Sequence, residues 1–281
     1  MLKVIQPGFF TTIQDVGRFG YREKGVPVCG CMDNYSASIA NSLLENDEMD
    51  AVMEITMTGP KLEFHTSSFF AITGAEMSPT LNGIPVNSYE VHKANEGDVI
   101  SFGKLINGFR SYLAVKGGFL TEVKLMSRSF NKPITDQNCI KKLMEIPIEG
   151  HTEYVPKISH IKPEAWHKEH ELIVHKGPEY NILTDDQLKL LFTNKFTIAK
   201  ENNRMAYQLE ELIGAHSHRM LTSATLPGTV QLTPAGKLII LMRDGQTTGG
   251  YPRVLQLATK SIAFLSQKKF GDKVSLHPLR H

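Results

Sequence analysis

The first half of this chain is a succession of short strand-like stretches broken by turn residues, and that pattern leaves few folds open. Residues 1–5, 53–55, 61–64, 69–73, 90–92, 99–102 and 112–115 each read as a strand. Asn82-Gly83, Glu96-Gly97-Asp98, Asn107-Gly108 and Gly117-Gly118 supply the breaks between them. One helix interrupts the series. Asp33 is placed to cap residues 34–44, with Tyr35, Ile39 and Leu43 recurring on one face and Ala40 and Leu44 beside them. So dense a run of short strands with one helix predicts an antiparallel, barrel-like unit.

The second half repeats the theme. Residues 172–175 and 193–198 read as strands, and Thr184-Asp185-Asp186-Gln187 is a capping box opening a short helix. Residues 238–242 form an unbroken apolar run expected to be a buried strand, while residues 254–265 have the length and spacing of a helix. Gly97-Asp98-Val99-Ile100-Ser101-Phe102 is echoed by Gly271-Asp272-Lys273-Val274-Ser275-Leu276 late in the other half. Two related β lobes follow from this echo and the similar sizes of the halves. The expected division is a first lobe over residues 1–129, a polar, proline-bearing connection over 130–170, and a second lobe over 171–281.

With 281 residues, each lobe can bury a core. A net charge of +2 offers no electrostatic case for nucleic acid or an anionic membrane. No apolar run approaches the length of a membrane span, and no leader precedes the first strand, so a cytoplasmic protein is expected. Three cysteines fit a reducing compartment. Cys29 and Cys31 are expected to be buried thiols. The histidines at 167, 170 and 175, and at 216 and 218, lack carboxylate companions at ligand spacing, so no metal is predicted.

Chemistry concentrates in glycine-framed polar loops. Arg243-Asp244-Gly245-Gln246-Thr247-Thr248-Gly249-Gly250-Tyr251-Pro252-Arg253 carries far more hydroxyl, amide and guanidinium function than a turn needs. Gln14, Asp15 and Arg18 sit between Gly8 and Gly20, and Asp33 and Arg204 occupy similar stretches. Arg beside Asp suits a small substrate bearing carboxylate and amide groups, with Thr and Gln fixing the rest. These segments are expected to converge on a groove shared by the lobes. The bland alternative is that Asp33 only caps its helix and that Asp15 with Arg18 only stabilises a turn. No phosphate-cradling Gly-x-x-x-x-Gly-Lys-Ser/Thr occurs, there is no nucleophile elbow, and no stretch suits biotin attachment.

The motifs resemble a known family. Pro-Gly-x-x-Thr-Thr-x-Gln-Asp-x-Gly-Arg-x-Gly-Tyr, Gly-Val-Pro-x-x-Gly-x-Met-Asp, Ala40-Asn41, Thr73-Gly74-Ala75, Arg110-Ser111-Tyr112-Leu113-Ala114-Val115 and Gln-Thr-Thr-Gly-Gly-Tyr-Pro stand here in family order. The chain is similar to the biotin-dependent carboxyltransferase and allophanate-hydrolase-subunit-2 group, nearly end to end. The resemblance implies cyclophilin-like β-barrel lobes and a hetero-oligomer, with a B-type partner subunit, and an A-type one as third component. It also implies a role in an ATP-dependent 5-oxoprolinase complex, which uses ATP to open 5-oxo-L-proline to glutamate. In that reading Asp15, Arg18 and Asp33 are catalytic candidates, and Gln14, Arg204, Gln246, Thr247, Thr248 and Tyr251 bind substrate. The group also includes antagonists of a kinase inhibitor homologous to the B-type partner, and carboxyltransferase subunits that use urea-like substrates. This chain departs from the group's pattern at Cys29-Gly30-Cys31, at Asn202-Asn203, at Gly245, and across residues 131–148, where a glycine-rich run is replaced by polar sequence.

Overall fold

The computed structural model describes residues 1–162 and 170–279. With 12% helix against 36% strand it is mainly β, as the strand density predicts. The chain divides into two compact units, one from Met1–Arg18 with Cys29–His167 and one from Phe19–Val28 with Lys168–His281. The short segment after Arg18 thus belongs to the second unit, which no local pattern announces.

In the first unit the strands form two sheets. One runs in the order Glu145–Ile146, Leu2–Gln6, Lys61–Phe64, Val99–Ser101, Thr80–Leu81, Ile84–Pro85; the other runs Phe10–Gln14, Val52–Thr56, Asn107–Val115, Ser68–Glu76, Val91–Ala94. Strand periodicity decides what each face does. Leu113, Val115, Phe70 and Ile72 join Leu2, Val4, Leu62 and Phe64 in one core cluster, whereas Tyr112, Ala114, Phe69 and Ala71 point the other way, onto helix α1 (Asn34–Leu43). The central strand is therefore buried on both faces, which is why residues 112–115 read as a continuous apolar run.

Asp33 caps α1 as expected, accepting from the Ser36 backbone N–H at 3.0 Å. The buried stripe is turned from the one predicted. Ser36, Ala37, Ala40, Asn41 and Leu43 are buried, while Tyr35 and Ile39 are only partly covered. Small residues on this stripe let the helix lie close to the sheet, so fit outweighed side-chain size.

The strand Phe10–Gln14 is legible only in the structure, because its buried Thr11 and Thr12 hide the alternation. Its outer edge is covered by the chain beyond residue 129. Phe130 N–H donates to Ile13 O at 2.9 Å and Ile140 N–H to Thr11 O at 2.8 Å. Phe130, Ile140, Ile146 and Ile148 all join the core cluster, so much of the polar stretch packs on this sheet. Covered edges do not template pairing with other chains.

The second unit is a closed barrel in the order Glu171–Lys176, Arg253–Leu257, Thr229–Leu232, Lys237–Leu241, Ala206–Leu212, Phe196–Asn202, Lys273–Pro278. The ring closes through a parallel pairing of Glu171–Lys176 with Lys273–Pro278. The strand expected over residues 238–242 runs Lys237–Leu241, with Leu238, Ile240 and Leu241 buried and Met242 just beyond its end. Residues 254–265, expected to be one helix, are instead a strand, Arg253–Leu257, followed by helix α3 (Thr259–Ser266). Arg253–Leu257 pairs on both sides, with Glu171–Lys176 and with Thr229–Leu232, and ring closure overrides a pattern that fits either period. Strand content over residues 193–198 likewise begins only at Phe196, because Thr193 ends helix α2 (Asp185–Thr193).

The capping box is present as read: the Thr184 side chain accepts from Gln187 N–H, and the Gln187 side chain accepts from Thr184 N–H at 3.0 Å. Thr184→Ala removes the N-cap acceptor and should lower stability by about 1 kcal/mol. A shifted urea midpoint with an unchanged slope would register it.

Candidate functional site

In the first unit the Asp15 carboxylate is an anchor. Its Oδ1 accepts from Gly17 N–H at 2.8 Å, from Ser127 Oγ at 2.7 Å and from Ser129 Oγ at 2.6 Å, and its Oδ2 accepts from Arg128 N–H at 2.6 Å. Four donors occupy most of a carboxylate's acceptor sites. Arg18 works on the same segment from a position with no exposed surface: Nε donates to Lys124 O at 3.1 Å and Nη2 to Ser129 O at 2.5 Å. Gln14 Nε2 adds a bond to Phe130 O at 3.2 Å.

The segment so held is unusual. Leu125 and Met126 both have positive φ, 51° and 61°, in a turn closed by Lys124 and Ser127, and Met126 is 78% exposed. Left-handed backbone at two non-glycine residues costs roughly 1–2 kcal/mol each and persists only where the surroundings impose it. Asp15 and Arg18 impose it. The Cys29-Gly30-Cys31 turn packs on the back of this loop, with Cys31 N–H donating to Asp15 O at 2.9 Å. Gly30 has φ 81°, and a Cβ there would stand 2.8 Å from the Val16 backbone, so no side chain fits. Both thiols are buried and neither forms a disulfide, as expected.

Asp33 sits in a second buried cluster that sequence reasoning did not assemble. Its carboxylate takes Ser36 Oγ at 2.6 Å as well as the backbone bond, and its own N–H donates to Tyr112 Oη at 2.8 Å. Tyr112 Oη donates in turn to Glu54 Oε2 at 2.8 Å, an oxygen that also accepts Met32 N–H at 2.7 Å, and Arg110 Nε lies 3.7 Å from Glu54 Oε1. Burial first, then the neighbouring carboxylates Glu54 and Asp33, push the Tyr112 hydroxyl well above its ordinary value, so it stays a donor. Glu54 was visible as a lone acid in the strand Val52–Thr56, whose every residue is buried.

In the second unit Arg204 grips Asp244 bidentately, with Nε to Oδ2 and Nη2 to Oδ1 both 2.9 Å, and Asp244 N–H returns a bond to Arg204 O at 2.9 Å. This clamp fixes the start of the polar loop. Further on, Thr225 Oγ1 donates to Gln246 O at 2.5 Å, Thr225 N–H donates to Thr247 O at 3.0 Å, and Thr248–Gly249 pairs with Ser223–Ala224. The supporting hairpin is tied by Arg22 Nη2, which donates to Thr225 O, and by Arg253 Nη1, which donates to Ala224 O at 2.6 Å. Arg253 is itself held by Glu179 through Nε at 2.9 Å and Nη2 at 2.7 Å. The loop's backbone is thus committed to structure while Gln246 and Thr248 are exposed, Thr247 is half-buried and Tyr251 is 41% exposed. Fixed backbone with outward polar side chains is how a small polar ligand is recognised.

Of the named histidines, His167 lies outside the described residues. His216 and His218 stack with ring centroids 5.8 Å apart, and His170 Nδ1 meets Lys273 O at 3.2 Å. Among the described residues no three His, Cys, Asp or Glu side chains come together to hold a metal ion, and no helix is long and apolar enough to cross a membrane.

Comparison with known proteins follows the same lines. The family model for the carboxyltransferase domain, subdomain A and B, matches residues 24–278. A relative, the C subunit of 5-oxoprolinase from Escherichia coli, is 30% identical over 280 residues, covering 98% of this chain and 90% of that one. Urea amidolyase of Saccharomyces cerevisiae is 26% identical over the whole chain but is matched over only 17% of its own length. Among solved structures, TTHA0988 superposes with a TM-score of 0.89 at 23% identity; this chain covers 55% of it, and the likeness is one of fold.

Two outcomes test the anchors. Asp15→Asn replaces an acceptor with a donor facing four donors and should cost at least roughly 2 kcal/mol, with amide exchange at Arg128 and Ser129 accelerating before the rest of the unit. The Arg253 hydrogen bond holds the Glu179 carboxylate below its usual range. A depressed folded value means stabilisation present above the unfolded pKa, about 4.3, and lost as pH falls through the folded value. Glu179→Gln should therefore be less stable than the wild type at pH 7, the gap closing in acid, as denaturation midpoints across that range will record.

Proposed function

The chain belongs to the carboxyltransferase-domain family of subdomains A and B, and from that premise we propose that it is one subunit of an ATP-dependent 5-oxoprolinase complex. The observation that supports this is the reach of one match over both sequences. The match to the 5-oxoprolinase C subunit runs over nearly all of both chains, whereas the urea amidolyases contain the same stretch as a small part of a far longer protein.

In this reading the complex opens 5-oxo-L-proline to L-glutamate. The γ-phosphoryl group of ATP passes to the amide oxygen and ADP leaves; water adds to the activated carbon, the C–N bond breaks to release the amine and leave an acyl phosphate, and a second water hydrolyses that to glutamate and phosphate. This chain has no phosphate-cradling motif, so a partner of the B type or the A type supplies the nucleotide site. The task of this chain is to bind and polarise the amide. Gln246, Thr247, Thr248 and Tyr251 are proposed as its recognition groups, because their backbones are anchored and their side chains face outward. Arg204 positions them through Asp244. In the first unit Gln14, Asp15, Arg18 and Asp33 are proposed to act by holding the 124–130 segment and the start of α1 in place, since their polar atoms are largely committed there. Donors fixed in advance stabilise charge developing on the amide oxygen without reorganising.

A second reading has its own support, because the urea amidolyase match spans this entire chain. A carboxyltransferase that takes a urea-like amide would use the same loop.

Co-expression with B-type and A-type partner chains, followed by assay of 5-oxoproline-dependent ADP and glutamate release, tests the proposal. Turnover that survives omission of this chain removes it, and turnover on urea instead of 5-oxoproline favours the second reading. Thr247→Ala with Thr248→Ala deletes two hydroxyls worth about 1 kcal/mol each, so kcat/KM should fall roughly tenfold or more with the thermal melt unchanged.

A further inference from the structure

One buried side chain beneath the polar loop carries an amide nitrogen that the described residues leave unbonded. Gln231 lies on the strand Thr229–Leu232, every residue of which is buried, and it is itself 1% exposed. Its neighbours Val230 and Leu232 are wholly buried and apolar. Thr229, two residues away on the same face as Gln231, is fully used: its hydroxyl donates to Gln256 Oε1 and accepts from Leu226 N–H, both at 2.9 Å. Gln231 Nε2, by contrast, has no hydrogen-bond partner among the described residues. A buried donor left unpaired costs about 1–3 kcal/mol. A leucine of similar volume would fill the same space at no such cost.

The orphan amide lies against the loop. The three heavy atoms nearest to where a Cβ on Gly249 would stand are Gln231 Nε2, Gln246 Nε2 and the Gln231 carboxamide carbon, the last two at 3.3 and 3.4 Å. Two carboxamide nitrogens therefore converge on one glycine, and any side chain at that position would displace Gln231. Gly249 is buried, but Gln246, Thr248 and Gly250 around it are exposed, and the Thr248–Gly249 strand is held by only two paired residues. Two N–H₂ groups close to one point, with no carboxylate among them, suit an oxygen acceptor and not a cation.

We propose that Gln231, together with Gln246, binds the amide oxygen of a small amide ligand beneath the Gln246–Gly250 loop. This rests on the amide-binding reading of the loop above and adds a recognition residue that lies outside the glycine-rich motif. The unpaired donor is then a binding group kept ready at the expense of stability, as buried polar groups of binding sites are.

The test uses the assembled complex and two probes, 5-oxo-L-proline and its ring without the carboxylate, 2-pyrrolidinone, with affinity measured by calorimetry in the absence of ATP. Gln231→Leu should weaken both probes about three- to tenfold, the worth of one neutral hydrogen bond, while the urea midpoint of the full chain stays the same or rises. Gly249→Ala should weaken both probes as well, because its methyl group takes the place of the Gln231 amide. A lower midpoint for Gln231→Leu would make the residue structural and overturn the proposal. Unchanged affinity in the variant would overturn it too, as would loss confined to 5-oxo-L-proline, which would assign the donor to the carboxylate, or failure of the wild-type complex to bind either probe. The midpoint and binding readouts need no turnover, so a complex that binds the amide yet lacks hydrolysis would sink the 5-oxoprolinase reading and leave this one standing.

Discussion

A carboxylate shut inside a β-sheet holds its place only where protein donors replace the water it has lost, and Glu54 meets that condition in the middle of the first unit. Tyr112 Oη and Met32 N–H both donate to one of its oxygens, and Arg110 stands beside the other. Tyr112 Oη simultaneously receives Asp33 N–H, so the central strand and the N-terminus of α1 are joined through the Tyr112 side chain. Burying an acid among apolar strands is a poor way to add stability, but it is a selective one. Few other arrangements of the helix on the sheet satisfy all of these groups, and an unsatisfied member would cost more than the pairing returns. The turn that carries Cys31 and Met32 is placed by this network, and through Cys31 N–H to Asp15 O so is the loop beside it.

The same logic runs through the residues that a motif reading marks as chemical. Asp15, Arg18 and Arg204 are the most conspicuous charges in the glycine-framed loops, yet each is turned inward onto backbone or a fixed partner. Asp15 and Arg18 hold a turn whose left-handed residues would otherwise relax, and Arg204 holds Asp244. What faces outward is less conspicuous: an amide, two hydroxyls and a phenol. A loop that must present neutral donors accurately needs its charges as anchors, because charge-assisted hydrogen bonds are the stronger ones and tolerate less misalignment. Motif residues can thus fix a loop from within while other side chains face outward.

The stretch that this chain shares with its relatives occurs among them in two settings. The urea amidolyases hold the corresponding residues within one long polypeptide, while the C subunit of 5-oxoprolinase is a chain of nearly the same extent as this one. Each unit is complete in itself, the first with a covered sheet edge and the second closed into a ring. Nothing about the fold alone selects a reaction.

Much was legible without coordinates. The mainly β class, the helix capped by Asp33, the capping box at Thr184 and the strand Lys237–Leu241 all follow from local periodicity and cap chemistry, which act within a few residues. The strand Arg253–Leu257 was not legible, because it exists only through pairing on both sides with segments far away in the chain. Nor was the attachment of Phe130 and Ile140 to the edge of Phe10–Gln14, since polar sequence conceals single apolar anchors. The residue types of the polar loops were plain from their order, but not the direction in which each side chain points. That Asp15 meets Ser127 and Ser129, that Glu54 meets Tyr112, and that Gln231 lies under Gly249 are facts of tertiary packing. Hydrogen bonds that span such distances leave no periodic trace along the chain that makes them.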